Sequence, residues 1–253
     1  MSYYKPNELL SKNNKKTIKG EKYGWITYIM YLAPHTQNDS NKNVCSHASI
    51  GCTEACLFGS GFGGMYTNVE KGRVNKTNFF LEAREEFLNT LMLEIAKKEA
   101  KHKKKDEKIC IRLNGTSDIA FETFKVKDGK TLMELYPDVQ FYDYTKNPIR
   151  FNRVLPSNYH LTFSRSETNG DEAIKLLAAG NNVAVVFDKV PATYEGYPVV
   201  NGDESDLRFL DDKNVVVGLK YKKLTGKGAD NTKAFKSGFA LKIADLVEIE
   251  KVA

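Results

Sequence analysis

The chain has no long hydrophobic run. No stretch of its 253 residues approaches the roughly 20 apolar residues of a membrane span. The opening MSYYKPNELLSKNNKKTIKG contains no apolar h-region and no small-residue cleavage site, so it does not read as a signal peptide. A cytoplasmic protein in a reducing compartment is expected.

Histidine is scarce. The four present, His35, His47, His102 and His160, stand far apart. H-E-x-x-H, G-x-S-x-G and the P-loop string are all missing. Zinc-peptidase, serine-hydrolase and P-loop chemistry therefore have no support. A His-metal nicking nuclease is poorly supplied, although thirteen Tyr offer candidate nucleophiles.

Cysteine is also rare, but three of the four fall within twelve residues: Cys45, Cys52 and Cys56, in CSHASIGCTEAC. Packing has no use for such clustering. In a reducing compartment, close-spaced thiols point to a metal or an iron–sulfur cluster before disulfides. Three thiolates can hold three irons of a [4Fe–4S] cluster and leave one iron open for substrate or cofactor. The alternative is structural Zn, with His47 or Cys110 as the fourth ligand. The spacing C-x6-C-x3-C lacks the paired C-x2-C knuckle that zinc favours, which places the cluster first. Gly59, Gly61, Gly63 and Gly64 follow; they resemble a phosphate cradle only weakly, with no Lys-Ser/Thr after them.

The net charge of +6 is local. Residues 1–22 carry six Lys against two Glu, and residues 97–108 carry seven Lys against three acids. Both segments are able to meet nucleic acid. They lack the Arg and interleaved aromatics of a nucleic-acid surface, so a solvated tail and helix end are the simpler reading. With 41% hydrophobic residues the chain can build a sizeable core. The expected organisation is a basic tail over 1–22 and a single α/β domain over 23–253.

Six short β-branched or aromatic runs bounded by turn residues read as strands: Trp25–Leu32, Lys108–Leu113, Val139–Tyr144, Tyr159–Ser164, Asn182–Phe187 and Val215–Leu219. One long helix is expected from Phe79 to Lys105, N-capped by Asn78, and another over Asp171–Ala179, stopped by Gly180. Shorter helices are expected at Lys130–Leu135 and Pro148–Val154, and either a strand or a helix over Ala240–Glu250. Strands separated by helices make parallel βα units. The expected fold is a partial (β/α) TIM-type barrel of about six parallel strands, with an open doubly wound sheet as the alternative.

Both folds gather function at the C-terminal strand ends, and polar residues stand there. Asn114, Ser117 and Asp118 follow the second strand; Asp143 and Lys146 the third; Ser164, Arg165 and Glu167 the fourth. Asp203, Asp206 and Arg208 lie between the fifth and sixth. Each group alone is also ordinary turn chemistry. Together, beside a thiol cluster, they suggest a site.

The strings YLAPHTQNDSNKNVCSHASIGCTEACL, RLNGTSDIAFE, FYDYTKNP, LTFSRSE, VAVVFD, NGDESDLRFLD and VVGLK, in that order, resemble the phage-encoded family named after gene product 88, from about Lys16 to Gly238. That resemblance implies the host-cell cytoplasm. A more distant resemblance is to radical S-adenosylmethionine (SAM) enzymes, which carry three cluster-binding cysteines on the loop after the first strand of a partial barrel. The commonest spacing there is C-x3-C-x2-C, unlike this chain, and no glycine-glycine-glutamate motif follows the second strand. What this resemblance implies is a [4Fe–4S] enzyme with Cys45, Cys52 and Cys56 as ligands and SAM on the open iron. Asn114, Ser117 and Asp118 would contact SAM. Asp143, Lys146, Ser164, Arg165 and Glu167 would line the substrate site, and Asp203, Asp206 and Arg208 would close it, with a lid or anchoring role. A phage setting suggests a nucleotide, nucleic acid or related metabolite as substrate. The alternatives are a zinc-stabilised nucleic-acid-binding protein without catalysis and a replication-initiation nuclease.

Overall fold

In a computed structural model, residues 3–12, 15–56, 66–225 and 229–250 are described. The glycine-rich stretch at 59–64 lies outside them.

All six expected strands form, each within two residues of its expected ends. They are β2 (Trp25–Met30), β3 (Lys108–Arg112), β4 (Gln140–Thr145), β5 (Tyr159–Ser164), β6 (Val183–Phe187) and β9 (Val216–Lys220). Short strands add to them: β1 (Leu10–Ser11), β7 (Thr193–Tyr194), β8 (Tyr197–Asn201) and β10 (Ala240–Leu241). They build one sheet in the order β1-β2-β3-β4-β5-β6-β9-β8-β7. Pairing is parallel from β2 to β8 and antiparallel only for β1 and β7 at the two edges. The edges do not pair with each other, so the sheet is open and the barrel is not closed.

One local feature matters for the site. β5 pairs with the start of β6 (Ser164 with Ala184), while β10 pairs in parallel with its end (Ala240 with Val186). β9 occupies the whole other edge of β6. The end of β5 therefore diverges from β6, and β10 fills the gap.

Strand alternation divides the sheet into two faces. One carries Tyr28, Met30, Ile109, Ile111, Phe141, Leu161, Phe163, Val183 and Val185. Helices α3 (Thr67–Glu82), α4 (Arg84–Lys103) and α6 (Gly170–Ala178) cover it with Phe79, Phe80, Phe87, Leu91, Ile95, Ala173 and Leu177. The other face carries Thr27, Cys110, Tyr142, Tyr144, His160 and Thr162. It is covered by the segment after β8, which buries Asp206, Leu207 and Arg208. These three helices share one face, while the helix Lys15–Glu21 lies against the other, where a Cβ on Gly20 would be 3.3 Å from Thr27 Oγ1. The open sheet expected as the alternative is compatible with this arrangement.

The expected long helix is two. α3 begins twelve residues earlier than expected, and the chain breaks at Ala83 (φ −137°, ψ 57°) before α4 starts. Asn78 is no N-cap. It is buried inside α3, where its Nδ2 donates to Asp39 Oδ2 at 2.6 Å. The basic N-terminal segment is not simply a tail: it contains β1 and helix α1 (Lys15–Glu21). The C-terminal choice resolves as both, β10 followed by α7 (Ile243–Glu250). Helix α5 (Leu132–Leu135) starts with a capping box between Thr131 and Glu134.

Candidate functional site

The cysteine loop leaves β2 and is fastened at both ends. Cys45 Sγ accepts the His35 N–H at 3.3 Å and donates to the Thr116 carbonyl at 3.8 Å. His35 holds a left-handed φ of 53° to make that turn. Further on, Ser49 caps the short helix α2 (Ile50–Glu54), its Oγ accepting the Cys52 N–H at 3.2 Å.

Glu167, after β5, ties this helix to the sheet. Its Oε2 accepts from Ser49 Oγ and its Oε1 from the Gly51 N–H, both at 2.7 Å. The approach requires glycine: a Cβ on Gly51 would fall 2.5 Å from Ser237 Oγ and 2.7 Å from Phe239 Cβ. Arg165 fastens the same region by donating to the Gly238 and Phe239 carbonyls just ahead of β10. Neither Arg165 nor Glu167 lines the cavity described below. They position the loop and β10.

The loop after β3 is fastened to the exit of β2. Gly115 donates to the Met30 carbonyl at 2.9 Å, and Thr116 Oγ1 donates to the Leu32 carbonyl at 2.5 Å. A Cβ on Gly115 would lie 2.6 Å from Met30 O. Asn114 organises this loop. Its Oδ1 accepts from Ser117 Oγ and the Ile119 N–H, and its Nδ2 donates to Asp143 Oδ2 and the Ile119 carbonyl. A carboxamide offers two donors and two lone pairs, so the Asn114 side chain is fully used. Asn114 and Ser117 both line the cavity described below, and their side chains hold each other and the loop. Asp118 accepts from the Lys146 N–H at 2.8 Å and from Arg150 Nη1 at 3.0 Å.

Asp143, by contrast, does not line the cavity. It lies on the helix-covered face, fully buried, and accepts from the Asn114 N–H and the Tyr159 hydroxyl. Burial pushes its carboxyl up to about 6 against the pull of Arg150 and the Asn114 N–H. It holds the loop from beneath and does not reach the cavity.

Asp206 and Arg208 do not line the cavity, and their contacts are those of anchors. Both are buried against the opposite face. Asp206 accepts from Arg112 Nη1 at 3.2 Å and the Tyr142 hydroxyl at 3.0 Å. Arg208 donates to the Ser205 carbonyl and pairs with Asp211 at 3.3 Å. Of the three, only Asp203 borders the cavity, where it pairs with Lys222 at 2.8 Å.

Between the cysteine loop and the strand ends lies a cavity of about 200 Å³. One water needs about 10–15 Å³, so this is space for a small molecule. Cys45, Cys52 and Cys56 form one wall with Ala48 and Ala55. Facing them stand Arg112, Asn114, Ser117, Asp118, Tyr144, Lys146, Ser164, Asp203, Lys220 and Lys222. All four cysteines are free thiols. Burial pushes the Cys45 thiol up to about 12, with Cys56 and Cys52 raising it further and the His35 N–H opposing.

Three free thiols from one loop, with small alanines between them, are a donor set that fits a thiophilic metal or an iron–sulfur cluster. Among the described residues, no group of three or more His, Cys, Asp or Glu is already drawn together as a metal-ligand set. The thiols share a cavity without being closed into a ligand shell. Neither proposed fourth zinc ligand lines it. His47 is exposed and bonded to Ser46, and Cys110 is buried within β3 against Thr27.

Sequence reasoning missed Arg112, Tyr144, Lys220 and Lys222 at the cavity, and Arg150 beneath it. A charge inside the apolar run KICIRL was the available signal for Arg112. Lys220 ends β9 and Lys222 lies two residues beyond it, at another C-terminal strand end. Nothing local marks Arg150, whose guanidinium binds Glu122 and Asp118 across the fold.

The fold and site define a class: an open, mostly parallel α/β sheet with a thiol-lined cavity at the C-terminal strand ends. The family model described as Gene product 88 matches residues 8–240. The chain belongs to this phage family. No curated protein and no solved structure matches it. Among the described residues no helix is long and apolar enough to cross a membrane.

Proposed function

We propose that this protein is an iron–sulfur enzyme of radical-SAM type that acts on a small molecule, a nucleotide or related metabolite. The observation that carries the reading is the convergence of Cys45, Cys52 and Cys56, and not Cys110, on one cavity at the strand ends. The strand order supports it: β2 to β6 are neighbours in sequence order with their helices on one face, as in part of a (β/α) barrel.

Cys45, Cys52 and Cys56 would hold the cluster. When bound, it would supply one-electron chemistry to SAM at its open iron. The chain's own residues do the rest. Glu167 and Gly51 hold the cysteine loop against β10. Asn114 and Asp143 fix the loop that carries Asp118 to the rim. Asp118, Lys146 and Ser164 present polar atoms to the bound molecule.

The test is anaerobic purification with a visible spectrum and iron, sulfide and zinc analysis. The expectation is a brown protein with about four irons per chain, lost in Cys52→Ala and kept in Cys110→Ala. SAM cleavage would then be assayed. A colourless protein with one zinc would replace the enzyme reading with the zinc-stabilised binding module. Iron retained in Cys52→Ala would overturn the ligand assignment.

A further inference from the structure

Among the described residues, four cationic residues border the cysteine cavity: Arg112, Lys146, Lys220 and Lys222. Two are neutralised, Arg112 by Asp206 at 3.2 Å and Lys222 by Asp203 at 2.8 Å. The other carboxylate of the cavity, Asp118, is already held by the buried Arg150 at 3.0 Å. Lys146 and Lys220 form no ion pair with a carboxylate among the described residues. The wall facing the cysteines therefore has positive charge to spare.

Lys146 is placed for a ligand. Its backbone N–H is anchored on Asp118, and its half-buried side chain runs to the end of β5. There the Nζ donates to Ser164 Oγ at 2.9 Å and lies 5.6 Å from the centre of the Phe239 ring. An ammonium carries three donors and a hydroxyl one. With its lone pair turned to Lys146, Ser164 keeps its own O–H to donate. Ammonium and hydroxyl thus form a donor pair on the cavity surface. In a recess with low-dielectric walls, uncompensated charge of one sign concentrates the opposite sign.

We propose that this wall is an oxyanion subsite. The small molecule taken up carries a phosphate or a carboxylate, with its oxygens on Lys146 Nζ and Ser164 Oγ and its charge offset by the Lys146 ammonium. As a statement about substrate, this rests on reading the cavity as an active site. As a statement about binding, it does not depend on what the cysteines hold.

The test is calorimetric titration of the full chain with inorganic phosphate and with acetate. Circular dichroism of every variant checks the fold. Saturable binding is expected, weakened about tenfold or more in Lys146→Gln, as for a lost charge-assisted hydrogen bond. Lys146→Arg should recover part of it, and Ser164→Ala should weaken it less. Phosphate binding more tightly than acetate identifies a phosphoryl ligand; the reverse identifies a carboxylate. In the metal-free protein, prepared with a chelator, the affinity should be unchanged. Loss of anion binding in that form would place the anion on the metal and overturn the subsite while leaving the cluster reading intact. No saturable binding of either anion, or equal affinity in Lys146→Gln and wild type, would also overturn it.

Discussion

Glu167 is the residue on which the position of the cysteine loop depends most, and removing its carboxylate has a calculable consequence. In Glu167→Ala, Ser49 Oγ and the Gly51 N–H each lose an acceptor at 2.7 Å. Hydrogen bonds to a charged group contribute about 1.5–3 kcal/mol each. The site is partly open to solvent, so water replaces some of this, and about 2–3 kcal/mol is expected for the pair. The loss falls on the loop rather than the whole domain, because the sheet and both helix-covered clusters are untouched. Each 1.4 kcal/mol is tenfold in population, so the open loop becomes roughly 30–150 times more populated. The assay is the rate at which Cys52 reacts with a thiol reagent in the metal-free protein, read by mass spectrometry. That rate should rise by about the same factor where opening limits the reaction, while Cys110 in β3 stays unreactive. Glu167→Gln keeps one acceptor oxygen and should fall between. An unchanged Cys52 rate in Glu167→Ala would refute the assignment of Glu167 as the anchor.

Two further substitutions test other parts of the framework. Gly115→Ala would place a Cβ 2.6 Å from the Met30 carbonyl oxygen. Backbone must move to relieve it, so a loss of about 1–3 kcal/mol is expected in denaturant unfolding; a stability equal to wild type would show that the loop accommodates the methyl. His160 sets a pH dependence, because burial, with Arg208 adding to it, pushes its imidazole down from 6.5 to about 4. The unfolded chain binds the extra proton between those values, so stability is lost as pH falls through that window, by roughly 3 kcal/mol. Asp143 and Asp211, each pushed up to about 6 by burial, act oppositely below pH 6. The difference between wild type and His160→Gln isolates the histidine. That difference should change with pH between 6.5 and 4, and a flat difference would refute the assignment.

Strand identity was legible because β-branched and aromatic runs between turn residues need only local information. β5 matches residue for residue. The helix break at Ala83 was not legible. Phe79, Phe80, Phe87, Leu88 and Leu91 continue an apolar stripe across it, and alanine carries no stop signal. The early start of α3 was hidden for a different reason: TNVEKGRVNKTN is polar, and its inward residues are Asn75, Thr77 and Asn78. They are buried by hydrogen bonds to Tyr4, Ala33 and Asp39, far along the chain. No periodicity of apolar residues could reveal that face.

At the site the decisive variable was strand parity. Polar residues gather at the strand ends as expected, but neighbours along a strand point to opposite faces. Tyr144 lines the cavity while Asp143, one residue earlier, sits among the helix-facing apolar residues. The registers align Tyr144 with Thr162, two residues before Ser164, and align Ser164 with Ala184, two before Val186. Tyr144, Ser164 and Val186 therefore share one face and reach one cavity. The residues off that parity were not wasted polarity. A carboxylate on the apolar face needs partners, and Asp143 finds them in Asn114 and Tyr159. Asn114 in turn holds the Ser117–Ile119 turn that carries Asp118 to the rim. Along the strands, the polar residues thus divide by parity into those on the cavity face, such as Tyr144 and Ser164, and those such as Asp143 that hold the first group in place. Both are expected to be intolerant of substitution, and only a binding measurement separates them.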